Sequence, residues 1–201
     1  MRTAEIKRVT NETEIEVKVD LDGSGKHSIN TKIGFFKHML EQLSKHSGID
    51  IDMDFKKEDL EVDQHHSVED AGYALGEALK KALGNKKGIE RYACVMMVMD
   101  EVRCDVALDL GGRNNLVFNL PALTLEQGEA DREFDYPLVK EFMKALTDEL
   151  KATLHINDPY APRIDVNKHH LAEAAFKGLA RVLKKAVMVT GTDIPSTKGV
   201  I

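Results

Sequence analysis

Two stretches of this chain carry nearly the same pattern, HHSVEDAGYALGEALKKA at residues 65–82 and HHLAEAAFKGLARVLKKA at residues 169–186. Aligned without a gap, they are identical at 9 of 18 positions, including both histidines and the glutamate of an HHxxE motif. Apolar residues recur in both at the three- and four-residue spacing of an amphipathic helix. The repeat indicates that a unit of half the chain's length was duplicated.

The residues around each repeated helix predict a matching order of elements. Alternation through Ile15, Val17 and Val19 predicts a strand, and other strands and helices follow from the same kinds of pattern. In the first half we expect strands at residues 5–10, 14–21 and 49–55 and helices at 34–45 and 66–83. In the second half we expect strands at 94–99, 104–110, 116–120 and 152–156 and helices at 137–151 and 169–187.

Each half is therefore roughly a β-β-α-β-α unit, and the whole chain is predicted to be an α/β (α+β) protein. The first half spans residues 1–90 and the second spans residues 91–201. Because no low-complexity segment separates the halves, we expect them to pack as one unit.

Composition excludes several classes of protein. The 201 residues carry a formal net charge of −6, which argues against nucleic acid or an anionic membrane as the partner. The N-terminal MRTAEIKRVT lacks the apolar stretch of a secretory signal, and the apolar run 92–99 is too short to span a membrane. Cys94 and Cys104 fit no disulfide or CxxC pattern, so we expect two reduced thiols in strands and a cytoplasmic protein.

The HHxxE motifs suggest a metal site. On a helix, Glu69 can share a face with either His65 or His66, but His65 and His66 project about 100° apart because an α-helix has 3.6 residues per turn. We therefore expect each helix to offer ligands to two ions, each ion bridging motifs from different halves or subunits. Imidazole and carboxylate ligands suit a divalent first-row metal. One such motif is more often a solvated helix face, and its recurrence in both halves favours metal binding.

Other motifs accompany the repeat in a definite order: FFKHMLEQLSKH at 35–46, MDE and LDLGGR within 99–113, and PSTKGVI at 195–201. With HHSVED and HHLAEAAFK, they make the chain resemble the imidazoleglycerol-phosphate dehydratase family from about residue 5 to the end. The resemblance implies a duplicated fold like that of ribosomal protein S5 domain 2 and a hollow homo-oligomeric 24-mer. It also implies a hydro-lyase of histidine biosynthesis that dehydrates D-erythro-imidazoleglycerol phosphate to imidazole-acetol phosphate.

The same resemblance implies roles for particular residues. Two Mn²⁺ ions per active site would be held by His38, His65, His66, Glu69, His169, His170 and Glu173. Glu141 stands where some members have a histidine, and it would be either a substitute ligand or a solvent-facing glutamate. The phosphorylated imidazole substrate would be bound by Glu12, His46, Arg91, Arg113, Lys177, Ser196, Thr197 and Lys198. His46 could instead be a structural histidine at a helix end.

The chemistry expected of such an enzyme explains the metals. The substrate loses water although no carbonyl acidifies its C–H bond, so an imidazole ring bridged between two ions would lose its N–H proton first. The resulting imidazolate could expel the hydroxyl through a diazafulvene-like intermediate. Glu12 is the first candidate for moving the protons, with Glu69 and Glu173 as second candidates.

Two other functions could use repeated HHxxE motifs. A dinuclear metal hydrolase would use its ions to activate water, but it would be expected to have ligands richer in aspartate. A non-catalytic metal-binding or storage assembly would explain the histidines but not the basic residues at 91, 113 and 198 or Glu12.

Overall fold

The structure is a computed structural model that describes residues 1–124 and 134–201. Its first half contains β1 (Thr3–Val9), β2 (Glu14–Asp20), β3 (His27–Asn30), α1 (Gly34–Ser47), β4 (Asp50–Lys57) and α2 (His65–Leu83). Its second half contains β5 (Tyr92–Met99), β6 (Val102–Asp109), β7 (Asn115–Asn119), α3 (Pro121–Thr124), α4 (Leu138–Leu150), β8 (Thr153–Asn157) and α5 (Lys168–Ala186).

The two halves have the same sheet topology. The first sheet has the order β1-β2-β4-β3 and the second has the order β5-β6-β8-β7. In each sheet the short third strand is parallel to its neighbour and the other pairs are antiparallel. The predicted fold class and its duplicated unit are confirmed. The structure adds β3, a four-residue strand in which only Ile29 is buried, and so short a segment has no recognisable alternation.

The helices lie between the two sheets. Helices α1 and α2 pack on the first sheet, and α4 and α5 pack on the second. Across the middle, α1 contacts α5 and α2 contacts α4, so each pair joins one helix from each half. One continuous core therefore joins the two halves. Burying a side chain such as that of Leu75 or Phe142 contributes about 1.5–3 kcal/mol, which explains why the apolar faces come together.

Glycines in α2 set the distance to α4. A Cβ atom at Gly72 would lie 2.7 Å from the carbonyl oxygen of Phe142, and one at Gly76 would lie 2.6 Å from that of Leu146. Since these distances are too short for a real Cβ atom, a side chain at either position would push the helices apart. The close approach brings the N-terminal turns of α2 and α4 side by side, where the site residues lie.

The outer faces of the two sheets differ. The first sheet presents charged side chains to solvent, among them Lys7, Glu16 and Lys18. The second presents exposed apolar side chains, including Met96 and Val98, each 67% exposed. Cys94 and Cys104 lie in strands β5 and β6 as free thiols, as expected. Within the described residues, none of the helices has the length and apolar character needed to cross a membrane.

Candidate metal centre and substrate site

A first cluster of ligand atoms lies where α1 meets α5. It consists of His38 from α1 with His169 and Glu173 from α5, and their candidate ligand atoms lie within 4.8 Å of one another. One carboxylate oxygen of Glu173 is 3.4 Å from Nε2 of His38 and 3.2 Å from Nε2 of His169. The His169 ring packs edge-on against Phe35, with ring centroids 5.1 Å apart. These side chains come from both halves of the chain and converge on one point.

A second cluster lies at the equivalent place between α2 and α4. It consists of His65 and Glu69 from α2 with Glu141 from α4, again with candidate ligand atoms within 4.8 Å. Glu141 occupies in α4 the position that His38 occupies in α1. The structure thus places Glu141 beside the first HHxxE motif, half-buried at the interface.

The second histidine of each motif points elsewhere. The ring centroids of His65 and His66 are 6.3 Å apart, as are those of His169 and His170. His66 and His170 therefore take no part in the two clusters between the helices, in agreement with the angle expected between adjacent residues.

Carboxylates surround His66. Its Nδ1 atom lies 3.2 Å from a carboxylate oxygen of Asp59, and its Nε2 atom lies 3.9 Å from a carboxylate oxygen of Glu12. Burial alone would lower the pKa of His66, but Asp59 and Glu12 offset this and raise it above the usual value. The structure therefore brings Glu12, on the turn between β1 and β2, to the first HHxxE motif.

His170 is surrounded in the same way. Its Nδ1 atom lies 2.9 Å from Glu101, and its Nε2 atom lies 3.6 Å from Asp100, so that these three residues form a third candidate cluster. The hydrogen bond to Glu101 raises the pKa of His170, and the same bond lowers the pKa of Glu101 to about 2. The sequence reasoning missed Asp59, Asp100 and Glu101 as site residues, although the MDE motif contained two of them.

Side chains just before the helix starts hold the motifs in place. The side chain of Asn167 accepts hydrogen bonds from the backbone N–H groups of His169 and His170. A carboxylate oxygen of Asp63 accepts one from the N–H of His65 at 2.7 Å. Because a first turn has free N–H groups, such side chains fix where the helix begins and hence where the histidines project.

His46 and Lys177 lie beside the first cluster. The ammonium group of Lys177 is 2.6 Å from Glu173. Burial would raise the pKa of Glu173, but Lys177 and His38 together hold it below the usual value. Burial lowers the pKa of His46, and the charges of Lys177 and Arg181 lower it further. His46 also contacts the side chain of Gln42 at 2.9 Å. It is a half-buried histidine facing a cationic surface of α5.

The predicted phosphate-binding residues line a cleft of about 730 Å³ at the C-terminal tail. Its lining includes Arg91, Arg113, Ser196, Thr197 and Lys198, and none of the metal-ligand candidates of the two clusters. The Arg91 guanidinium pairs with Asp109 at 2.8 Å and donates a hydrogen bond to the Pro195 carbonyl oxygen. Arg91 therefore fixes the tail, while Arg113 and Lys198 are exposed.

The donors of the clusters fit a divalent metal ion. The first offers two imidazoles and a carboxylate, and the second offers one imidazole and two carboxylates. Such mixed donors suit octahedral first-row ions, and a carboxylate as buried as that of Glu173 requires cationic partners. The fold and these clusters define a duplicated α/β protein with candidate metal centres at the contacts between its halves.

Comparisons with known proteins give the family. The family model described as imidazoleglycerol-phosphate dehydratase matches residues 31–183. An imidazoleglycerol-phosphate dehydratase of Oceanobacillus iheyensis is 47% identical, and the match covers 99% of each chain. The chain therefore belongs to the imidazoleglycerol-phosphate dehydratase family, and it is an enzyme, a lyase of histidine biosynthesis.

Solved structures agree with this assignment. The crystal structure of imidazoleglycerol-phosphate dehydratase from Staphylococcus aureus matches with a TM-score of 0.78 and 30% identity, covering 94% of this chain and 99% of that one. The Pyrococcus furiosus protein, solved in complex with (S)-C348, matches with a TM-score of 0.77 and 33% identity, covering 98% and 100%.

Proposed function

We propose that this chain removes water from D-erythro-imidazoleglycerol phosphate and releases imidazole-acetol phosphate. The observation that carries the proposal is the pair of clusters at equivalent positions of the two halves. Family membership and the names of the relatives support the same reaction. An assay of purified protein with imidazoleglycerol phosphate tests it directly. Hydrolysis of the substrate's phosphate ester instead would favour a dinuclear hydrolase, and metal binding without turnover would favour a storage assembly.

The proposed cofactor is Mn²⁺, with two ions per active site. The ligands would be His38, His169 and Glu173 for one ion and His65, Glu69 and Glu141 for the other, completed by His66 and His170 from neighbouring subunits. Bound Mn²⁺ would lower the pKa of the substrate's imidazole N–H group and orient the ring. Glu141 is included because its candidate ligand atom lies within 4.8 Å of those of His65 and Glu69.

The substrate's phosphate group would bind in the cleft at the tail. Arg113 and Lys198 supply positive charge there, and the hydroxyls of Ser196 and Thr197 can donate hydrogen bonds. Arg91 would act by holding the tail through the Pro195 carbonyl oxygen, since its charge is already paired with Asp109. His46 and Lys177 would complete the substrate site from the side of the first cluster.

Glu12 is the proposed acid and base that moves the protons. It lies outside the two clusters between the helices, its side chain is 48% exposed, and it is 3.9 Å from Nε2 of His66. Glu69 and Glu173 are less suited to this task because each lies within a cluster, where an ion would occupy the carboxylate. A proton-transfer group must reach the substrate and remain free to change its protonation state.

Glu12→Gln tests the role of Glu12. The amide keeps the side chain's size but cannot accept a proton, so we expect kcat to fall at least ~10²-fold with metal content unchanged. Steady-state kinetics and metal analysis of one preparation measure both quantities. Glu14→Gln, on the adjacent strand beside Lys7, is the matched control and should behave like the parent. A near-parental kcat in Glu12→Gln would leave Glu69 or Glu173 as the acid and base.

We infer that the subunits form a cytoplasmic homo-oligomer, a 24-mer by resemblance. Two features support an assembly: His66 and His170 diverge from the clusters, and apolar side chains such as Met96 and Val98 are exposed on the second sheet. If the ions bridge subunits, chelation should shift the particle toward smaller oligomers. Size-exclusion chromatography with light scattering before and after chelation measures the shift, and an unchanged mass after complete metal removal would contradict bridging.

A further inference from the structure

The turn that carries Glu12 has a defined hydrogen-bond pattern. The hydroxyl oxygen of Thr10 accepts hydrogen bonds from the backbone N–H groups of Glu12, at 3.2 Å, and Thr13, at 3.0 Å. The N–H of Thr10 donates to the Thr13 carbonyl oxygen at 2.9 Å. The position of Glu12 therefore depends on where Thr10 and Thr13 are held.

A buried carboxylate beneath the turn holds both threonines. One oxygen of Asp70 accepts hydrogen bonds from the hydroxyls of Thr13, at 2.5 Å, and Thr10, at 3.3 Å. The other oxygen accepts one from Nε of Arg8 at 2.7 Å. The Asp70 side chain is only 8% exposed, so these bonds replace the water that the carboxylate has lost. All three partners belong to the β1–β2 hairpin.

Asp70 follows Glu69 directly in α2. A single side chain thus connects the helix that presents His65, His66 and Glu69 to the turn that presents Glu12. Arg8, which pairs with Asp70, also lies over the ring of Tyr73 at 4.8 Å, and the Tyr73 hydroxyl faces Glu69 at 3.5 Å. The β1–β2 hairpin, α2 and the second cluster are therefore held in fixed positions relative to one another.

The second half folds without this connection. Ala174 of α5 occupies the position equivalent to Asp70, and the β5–β6 turn is held instead by Glu101, which contacts His170 and accepts from the N–H of Asn167. Since the same β-β-α arrangement forms in both halves, its folding does not require a carboxylate at this position. The carboxylate occurs in the half whose turn carries Glu12.

We propose that Asp70 is a positioning residue that holds the turn carrying Glu12, and with it the Glu12 carboxylate, in place beside His66 for proton transfer to the substrate. The inference rests on the proposed role of Glu12. A displacement of about 1 Å in a reacting group can lower the rate ~10²-fold, so an anchor of this kind affects catalysis without touching the substrate.

The test combines Asp70→Asn with Glu12→Gln. An amide keeps the size of Asp70 but can accept hydrogen bonds on one oxygen only, so either the threonines or Arg8 lose their acceptor. In the metal-loaded protein we expect kcat to fall roughly 10- to 100-fold with metal content unchanged, and the backbone amides of Glu12 and Thr13 to exchange hydrogen faster. On the Glu12→Gln background, Asp70→Asn should lower kcat no further, because residues that act through one another are not additive.

Asp105→Asn is the matched control, since Asp105 pairs with Arg103 at 2.8 Å on the other sheet. Its effect on kcat should be small and equal on both backgrounds. If Asp70→Asn does not fold, Thr13→Val replaces it, because this variant removes the hydrogen bond between Thr13 and Asp70 by changing the donor. It should give the same loss of kcat and the same lack of additivity with Glu12→Gln.

Different results would overturn the role of Asp70 and the role of Glu12. Equal losses of kcat from Asp70→Asn on both backgrounds would show a general structural role and overturn the proposal. Unaltered hydrogen exchange at the amides of Glu12 and Thr13 in Asp70→Asn would also overturn the proposal, whatever the value of kcat in that variant. A parental kcat in Glu12→Gln would overturn the proposed role of Glu12 itself.

Discussion

The two clusters lie in the same arrangement of helices, but the side chains next to them differ in charge. Each lies near the N-terminal ends of two helices that contact each other, one helix from each half. The two helices of the first cluster carry His46, Lys177 and Arg181 further along their length. The equivalent positions beside the second cluster are occupied by Glu149, Tyr73 and Glu77. The difference shows that duplication kept the geometry of the site, which depends on helix packing, while the charge around it diverged.

Because of this asymmetry, we expect the two clusters to differ in their affinity for a divalent ion. In the first, the single negative charge of Glu173 is balanced by Lys177, and the remaining ligands are imidazoles. In the second, no lysine stands at the position equivalent to Lys177, so both Glu69 and Glu141 would be available to neutralise the charge of a divalent ion. We therefore expect the second cluster to bind a free divalent ion more tightly than the first.

The largest expected effect on metal binding comes from removing one candidate ligand from either cluster. Alanine at His38 or at Glu141 should each weaken binding of one of the two ions by more than the ~10²-fold that outer-shell changes reach. Because Glu141→Ala removes a negative charge, its loss should be the larger. Titration with Mn²⁺ and metal analysis measure both, and Glu149→Ala on the same helix serves as the control. Unchanged metal content in Glu141→Ala would show that Glu141 is only a surface carboxylate.

The tail offers a second test, because it has no equivalent in the first half. After α2 the chain continues into β5. After α5 the C-terminal tail, which includes Lys198, forms the cleft together with Arg113. Alanine at either residue should weaken substrate binding by roughly ten- to a hundredfold, or about 1.5–3 kcal/mol, and leave metal content intact. Substrate and inorganic phosphate titrations measure the effect, with Lys144→Ala as the control. Parental binding in both variants would remove the tail from the phosphate site.

The smallest expected effect concerns His46 in metal-free protein. Burial and the charges of Lys177 and Arg181 depress its pKa in the folded state, so the unfolded chain binds the proton more readily. The free energy of unfolding should therefore decrease as pH falls below the ordinary histidine value of about 6.5. NMR titration should show a midpoint below that value, and Lys177→Met should raise it. A midpoint that Lys177→Met leaves unchanged would mean that Lys177 does not act on His46.

Much of this site follows from the sequence because helix periodicity is local. The repeat predicted the duplication, and the spacing of HHxxE predicted that Glu69 shares a face with one of the two histidines and that the histidines diverge from each other. The predicted helices end within a few residues of those in the structure. The family was also accessible from sequence, since several motifs occur together in order.

Other features depended on contacts between residues far apart in the chain. Nothing local indicates that α1 contacts α5 and α2 contacts α4, and it is this exchange between halves that places His38 beside His169 and Glu141 beside His65. Likewise, no local pattern indicates that Arg91 pairs with Asp109 and donates a hydrogen bond to the Pro195 carbonyl oxygen.

The sequence by itself determined which residues share a helix face, because the 3.6-residue turn fixes side-chain directions from spacing alone. Only the tertiary structure decided which faces meet and which carboxylates lie beneath them. Asp70 illustrates the reason: its partners Arg8, Thr10 and Thr13 are 57 to 62 residues away along the chain. Contacts at that separation arise from packing of the buried core, and no local pattern records them.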